Sequence, residues 1–136
     1  MKKLLTILLT FVICLSAAGC DSDAFKYVNS YKAVGMIRSN TNDSAKLSFM
    51  SLDGRIVFKL KYDEASEGHI FYEASIEEGE INVYYDIFDT KEHLFRAQAG
   101  YPIEGEGGYI EGGKSVYVIV EADNAKEGSV EIRLGR

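Results

Sequence analysis

The chain has 136 residues, of which 46% are hydrophobic and 26% charged, and its formal net charge is −6. A chain of this length suits one small globular domain and is too short for several. Its 21 acidic residues outnumber its 15 basic residues. We therefore expect no nucleic-acid partner, because binding to phosphates requires a basic surface.

The first twenty residues have the layout of a secretory signal peptide. Lys2 and Lys3 precede sixteen uncharged residues, 4–19, which end in small side chains. A basic n-region, an apolar h-region and a small-residue cleavage site are the parts of such a leader. An uncleaved transmembrane helix is the alternative, but a crossing takes about 20 apolar residues, and three hydroxyl side chains interrupt this run.

The end of this segment resembles the lipobox of bacterial lipoproteins. Residues 15–20 read Leu-Ser-Ala-Ala-Gly-Cys, with small residues at the two positions before the cysteine. The resemblance implies cleavage between Gly19 and Cys20, and attachment of a diacylglyceryl group to the Cys20 thiol. Ala17 departs from the family pattern, which more often has leucine at that position.

Lipidation of Cys20 implies a membrane partner that is bound through acyl chains and not crossed, because two or more buried chains give stable anchoring. We expect the anchor in the cytoplasmic membrane and the domain in the periplasm or outside the cell. Asp21 resembles the signal that retains Gram-negative lipoproteins in the inner membrane. In a Gram-positive cell only one membrane exists, and the sequence leaves both envelopes open.

Three parts follow from this interpretation: a cleaved signal peptide over residues 1–19, a lipidated tether over 20–30 and a folded domain over 31–136. Cleavage removes two lysines and no acid, which leaves 117 residues with a net charge of −8. That balance predicts repulsion from anionic lipid headgroups. Cys20 is then the one remaining cysteine, so we expect neither a disulfide nor thiol catalysis.

Apolar and polar residues alternate from Tyr31 onward, which predicts half-buried antiparallel strands. Three hairpins are predicted, with turns at 53–54, 78–79 and 123–127, because each turn places apolar residues opposite one another on one face. A weaker strand is predicted over 93–98 and a short edge strand over 108–110.

About eight such strands, with no sustained helical period, predict an all-β fold. We expect an antiparallel two-sheet β-sandwich, for which a jelly-roll and an immunoglobulin-like topology fit equally well. In size and layout the mature chain resembles small β-rich bacterial lipoproteins.

The sequence offers no catalytic constellation, which would require a nucleophile with a base, or a metal. The two histidines, His69 and His93, lack metal-ligand spacing. Residues 105–108 lack the lysine and the helix of a phosphate loop, so we expect a flexible connection there. We predict that the protein is not an enzyme and has no catalytic residue, metal or cofactor.

Two acidic groups are interpreted as solvated turns. The glutamates at 77, 78 and 80 have no apolar neighbours to raise a pKa, so we expect them to stay ionised. Asp123, Asn124 and Glu127 offer oxygen atoms to a Ca²⁺ ion, but they lack the spacing of a calcium loop.

Aromatic residues are the remaining signal, with 15 in the mature chain. Tyr84, Phe71 and Tyr117 are predicted to point away from the core, where exposed rings can stack on sugars or contact a protein. The same rings also suit strands for packing reasons alone. We predict a non-catalytic module for a glycan, peptide or envelope protein. The alternative is a structural or accessory envelope lipoprotein without a ligand of its own.

Overall fold

A computed structural model describes residues 27–62, 67–87 and 89–136. The described part is all-β and its strands pair only in antiparallel fashion, which confirms the predicted fold class and strand number. The eight strands are β1 (Ser30–Val34), β2 (Ile37–Asn40), β3 (Ser44–Lys61), β4 (Gly68–Ser75), β5 (Glu78–Asp86), β6 (Lys91–Gln98), β7 (Ile103–Ile110) and β8 (Ser115–Gly135). The predicted signal peptide, the lipidation site Cys20 and residues 21–26 lie outside the described residues.

Within the described ranges the structure has no helix of the length and hydrophobicity that a bilayer crossing requires.

The two longest strands, β3 and β8, form the centre of the fold. They pair from Ser44 opposite Arg133 to Lys61 opposite Ser115. Both strands are irregular near their middle, where the register of β3 shifts between Leu52 and Gly54 and Asn124 and Glu127 of β8 have positive φ. We interpret these irregularities as a bend, by which one hydrogen-bonded sheet folds into two layers. Strands that pass between layers through bulges or bends are a known way to build such a corner.

Each layer contains one half of β3 and one half of β8. Layer I consists of β1, residues 51–61 of β3, residues 115–126 of β8, β5 and β6. Layer II consists of β2, residues 44–49 of β3, residues 128–135 of β8, β4 and β7. The strands β1 and β2 therefore form one edge of the folded sheet, and β6 and β7 form the opposite edge.

The core lies between the two layers. Buried side chains alternate with more exposed ones over most of β3 and β8, as the period-two pattern predicts, and the alternation breaks near the middle of each strand. The rings of Tyr72 on β4 and Phe95 on β6 stack across the interior, with centroids 4.3 Å apart. Each large apolar side chain buried in this way contributes about 1.5–3 kcal/mol. The largest fully buried side chains of this core are Phe58, Leu47, Leu52, Ile56, Leu60, Ile70, Ile81, Ile110, Ile132, Val83 and Val116.

The three predicted hairpins are wrong. Residues 53–54 and 123–127 lie inside the continuous strands β3 and β8. The segment 78–79 does join β4 to β5, but those strands pair with β7 and β8 and with β6 and β8 respectively, not with each other. The residues that were predicted to form these three turns lie instead where the sheet bends between layer I and layer II, which we call the corner.

Backbone geometry at the corner explains the error. Gly54, Gly79, Asn124 and Glu127 all have positive φ, of 114°, 81°, 45° and 46°, which is the conformation that hairpin turns also use. Strand registers shift between Leu52 and Gly54 and between Glu78 and Glu80. A strand that bends and continues keeps the same alternation as one that reverses, so the pattern could not separate the two cases.

Two weaker strand predictions are confirmed. The strand predicted over 93–98 is β6, which begins two residues earlier. The edge strand predicted over 108–110 is the end of β7, which pairs with β4 alone.

Residues 27–30, at the end of the predicted tether, lie against layer I. The ring of Tyr27 stacks on Tyr117 with centroids 5.0 Å apart. The backbone N–H of Val57 donates to Asn29 Oδ1 at 2.7 Å, and the Val57 carbonyl accepts from Arg38 Nη2 at 2.7 Å. The backbone of β3 is thereby satisfied beyond the end of β1, where an edge would otherwise be open.

Substitution of Gly54 by alanine tests the corner. A Cβ atom at this position would clash with the carbonyl oxygen of Ser30 and the Cα of Tyr31, in a backbone with φ of 114°. We expect Gly54→Ala to lower the free energy of unfolding by about 2–4 kcal/mol, measured by urea denaturation. Gly100→Ala is the matched control, because φ is 80° there but the space is open, and it should cost about 1 kcal/mol. Equal losses in both variants would contradict close packing at the corner.

Candidate functional site

The three aromatic residues predicted to face outward do not form one site. Tyr84 and Tyr117 lie on neighbouring strands of layer I, where Tyr84 pairs with Ile119 and Tyr117 with Asp86. Phe71 lies on β4 in layer II. All three side chains are partly exposed. The structure therefore separates Phe71 from the two tyrosines.

The rings of Tyr84 and Tyr117 are occupied by side chains of the same chain. Lys91 Nζ lies 4.2 Å from the centroid of the Tyr84 ring, and His93 packs edge-on against that ring at 5.2 Å. Tyr117 stacks on Tyr27. Such cation–π and stacked contacts stabilise the surface. Tyr84 and Tyr117 each have two such partners, since Lys59 Nζ also lies 5.8 Å from the Tyr117 ring centroid, whereas Phe71 has a single cation–π partner among the described residues, Arg133.

Phe71 borders a cleft on the outer side of layer II, across β7, β4 and β8. Its volume is about 440 Å³. The residues that line it are Phe71, Tyr72, Glu73, Glu104, Gly105, Glu106, Glu131 and Arg133. We call this feature the Phe71 cleft.

Strand register arranges the cleft side chains in two rows. Phe71 is paired with Glu106 on one side and with Arg133 on the other, and the Arg133 guanidinium carbon lies 5.1 Å from the ring centroid. In the next row Glu73 is paired with Glu104 and with Glu131. Directly opposed residues share a face and stand about 4.5–5.5 Å apart at Cβ. One ring, one guanidinium and four carboxylates are therefore adjacent.

The row of three glutamates has an electrostatic cost. Like charges directly opposite one another destabilise a sheet. The row continues to Lys46, which is paired with Glu131 across β3 and β8, so the excess charge is only partly balanced. Residues that oppose local stability in this way are concentrated at functional sites.

The glycine-rich segment 105–108 is part of this site, and its predicted role as a flexible connection is wrong. It lies within β7 and pairs with β4. A Cβ at Gly105 would stand 2.8 Å from the Tyr72 hydroxyl oxygen, so glycine is what allows the tyrosine to reach this edge. The alternation of glutamate and glycine over 104–107 was the available signal for a strand with an acidic face.

Sequence reasoning singled out Phe71 but not the charged residues that the structure places around it. Glu73, Glu131 and Arg133 belong to strands whose alternation was recognised, but their neighbours across the sheet depend on pairings that the hairpin prediction had wrong. The acidic residues could be seen to face outward, but not to face one another.

Neither histidine lies in the Phe71 cleft, and the two are held separately. His69 Nδ1 is 2.9 Å from the Gly108 carbonyl oxygen, and His93 Nε2 is 3.1 Å from Asn82 Oδ1. Across the described ranges, no group of three or more histidine, cysteine, aspartate or glutamate side chains has the geometry to hold a metal ion.

The glutamates of the corner differ from one another. A hydrogen bond with Glu127 and repulsion by its charge raise the pKa of Glu77, whereas a hydrogen bond from Arg96 lowers the pKa of Glu80. Glu77 is exposed and does not line the Phe71 cleft. The pKa of Glu77 is therefore raised by a tertiary contact with Glu127 and not by apolar shelter.

Comparisons with known proteins give a similar fold and no family. Neither a protein-family model nor a curated protein matches the chain. Solved structures that resemble it include the module TmCBM61 in complex with β-1,4-galactotriose, with 14% identity, a TM-score of 0.44 and coverage of 74% of this chain and 70% of that one.

Two further similar structures come from larger enzymes. The pre-peptidase C-terminal domain of a Bacillus anthracis collagenase has 21% identity and a TM-score of 0.45, and 69% of this chain and 89% of that one are covered. A carbohydrate-binding module of Cellvibrio mixtus lichenase 5A in complex with cellotriose has 14% identity and a TM-score of 0.40, with coverage of 77% and 89%. Likeness at this level transfers neither a ligand nor a binding site to this chain.

Removal of the Glu77 charge tests the electrostatics of the corner. Because the pKa of Glu77 is raised on folding, its ionisation opposes folding as the pH rises through the folded-state value. We expect Glu77→Gln to raise the melting temperature near pH 7 and to have little effect at about pH 3, below the ordinary glutamate range, where Glu77 is protonated in both the folded and the unfolded state. Glu78→Gln is the comparison variant, since the Glu78 charge contributes least to the repulsion on Glu77 and Glu78 Oε2 lies 3.5 Å from Lys126 Nζ, so it should give a smaller rise than Glu77→Gln. A rise of equal size at both pH values would refute the repulsion between Glu77 and Glu127.

Proposed function

We propose that the chain is a membrane-anchored extracytoplasmic lipoprotein whose domain binds a glycan in the Phe71 cleft without catalysis. The observation that carries the binding proposal is the composition of that cleft. An aromatic ring and a guanidinium lie in one row, beside a row of three carboxylates on the same exposed sheet face.

These groups match the chemistry of a sugar. A pyranose ring has an apolar C–H face, which packs on an aromatic ring such as Phe71. Its hydroxyl groups donate hydrogen bonds to carboxylate oxygens and accept them from a guanidinium, which has donors only. A concave surface with one apolar wall and a few polar groups is the usual form of a small-ligand site.

The charge of the cleft restricts the class of glycan. Four glutamates, at 73, 104, 106 and 131, face the single cation of Arg133. Phosphate, sulfate or uronate groups would be repelled, because like-charge contacts oppose binding. The ligand is therefore a glycan whose contacted residues are neutral or carry amino groups.

The same glutamates do not form a hydrolytic site. Glycoside hydrolysis needs a carboxylic acid and a second carboxylate on the two sides of the scissile bond, with the acid sheltered by apolar groups. All four glutamates are solvent-exposed and lie on a single sheet face. Binding is the activity that this arrangement supports.

Substitution of Phe71 tests the binding site. We expect Phe71→Ala to weaken binding of neutral oligosaccharides about tenfold, because loss of an aromatic contact removes about 0.5–1.5 kcal/mol beyond its buried area. Binding of β-linked hexose oligomers and of chitosan oligomers to residues 27–136 is measured by isothermal titration calorimetry. Tyr84→Ala is the matched control, an outward aromatic on the other layer, and it should leave the affinity unchanged.

Two results would count against this proposal. Failure of the unsubstituted domain to bind either class of oligomer contradicts a glycan site, and equal affinity of Phe71→Ala contradicts its position. The structural or accessory role would then be favoured, which the internal packing of the Tyr84 and Tyr117 rings also supports.

The anchor is supported by the lipobox-like residues 15–20 and is tested at Cys20. In bacterial cells we expect the wild-type chain in the membrane fraction, with an N-terminal cysteine that carries acyl chains when examined by mass spectrometry. Cys20→Ser should release the domain from the membrane pellet, because no acyl chains can be attached. An unmodified N-terminus at Met1 in the wild-type protein would contradict lipidation.

A further inference from the structure

Exposed apolar side chains are concentrated on one edge of the folded sheet. Of the large hydrophobic residues that are exposed in the described ranges, Val28, Tyr31, Val34, Ile37 and Met50 lie within residues 28–50. Ile37, Met50 and Val34 are 70%, 61% and 59% exposed. A contiguous exposed apolar surface on a soluble domain indicates an interaction site.

Three of these side chains lie at the connection between β1 and β2. Val34 ends β1 and Ile37 begins β2, and Gly35 lies between them with φ of 59°. A Cβ at Gly35 would stand 2.7 Å from Met50 Cγ, so the methionine lies directly over the connection of the two strands. We call β1, β2 and Met50 the N-terminal edge.

Charged residues are distributed unevenly between the N-terminal and the C-terminal part of the chain. Residues 27–62 contain six basic and two acidic residues, whereas residues 63–136 contain six basic and seventeen acidic residues. The N-terminal edge itself carries two basic residues, Lys32 and Arg38, and no acidic residue. The other four basic residues lie on β3, where Arg55 forms an ion pair with Glu121 and Lys46 is paired with Glu131. Repulsion from anionic headgroups, which the net charge predicts, does not apply to this edge.

The position of the chain terminus places the same edge near the proposed anchor. Six residues separate Cys20 from Tyr27, and the seven steps between their Cα atoms span at most about 25 Å when fully extended. Tyr27 and Asn29 are held on layer I by the Tyr117 ring and by the Val57 backbone, and β1 begins at the next residue. An acylated Cys20 keeps the N-terminal edge close to the bilayer.

We infer that the N-terminal edge lies on the surface of an anionic lipid bilayer. Apolar side chains insert among headgroups and basic side chains bind anionic lipids, and each effect strengthens the other. The opposite edge, formed by β6 and β7, then points away from the membrane. The Phe71 cleft, which β7 borders, faces the envelope space.

A second copy of the chain is the competing occupant, because exposed edge strands can pair with one another. The edge is poorly suited to this. Asn29 and Arg38 already satisfy the backbone of Val57, and Lys32 lies on β1, where a charge hinders strand addition. Two copies would also bring their basic edges together.

The orientation rests on the proposed anchor, but lipid binding by the edge can be tested without it. Residues 27–136 contain all eight strands and the core, so this unlipidated domain is used. It is sedimented at low salt with vesicles of equal parts phosphatidylglycerol and phosphatidylcholine, and with vesicles of phosphatidylcholine alone. We expect sedimentation with the anionic vesicles that decreases with added salt.

Three substitutions define the surface. Ile37→Asp with Met50→Asp should lower the bound fraction about fivefold, and Lys32→Glu should lower binding to the anionic vesicles only. Tyr101→Asp is the matched control, since Tyr101 is 73% exposed next to the opposite edge, and it should bind as the unsubstituted domain does. Thermal unfolding of each variant verifies the fold.

Several outcomes would overturn the inference. One is equal sedimentation with both vesicle types, and another is unchanged binding of the edge variants. A third is a dimer in sedimentation velocity that the substitution Ile37→Asp dissociates, while the same variant still binds vesicles. Phe71→Ala separates this surface from the glycan site, because it should retain vesicle binding. Loss of one activity therefore leaves the other measurable.

Discussion

The pairing of β3 with β8 is the interaction on which the other strands depend. Sixteen positions of β3, from Ser44 to Lys61, are paired with β8, and every other strand except β6 and β7 pairs directly with one of these two. Both strands bend at paired positions. The half of the sheet before the bend therefore packs its inner face against the inner face of the half after it. The same backbone ladder thus supplies the hydrogen bonds of both layers and the apolar surface between them.

The bend also determines how function is distributed. Each layer has one face in the core and one face in solvent, so outward residues of β4, β7 and β8 are free to form the Phe71 cleft. The residues of β1 and β2 can pair on one side only, with β3. The proposed ligand site and the proposed lipid contact therefore occupy different surfaces of one small domain, with acidic strands near the first and basic strands near the second.

The sequence predicted which residues face the core more successfully than it predicted which strands are neighbours. Ile70 and Ala74 on β4, and Ile81 and Val83 on β5, are buried as their alternation requires. Alternation depends only on the pleat of a single strand, so it survives an error in pairing. Neighbours depend on whether the chain reverses at residues such as Asp53 and Gly54, and local turn preference does not distinguish a reversal from a bend.

By itself the sequence determined the all-β class, the alternation of buried and exposed side chains, the outward position of Phe71 and the lipobox-like segment that ends at Cys20. Each of these is a local property of the chain. Tertiary structure decided that Glu73, Glu104 and Glu131 stand in one row, that Glu127 raises the pKa of Glu77, and that Met50 lies over the connection between β1 and β2. These are relations between residues far apart in sequence, and they exist only because β3 and β8 fold the sheet at one corner.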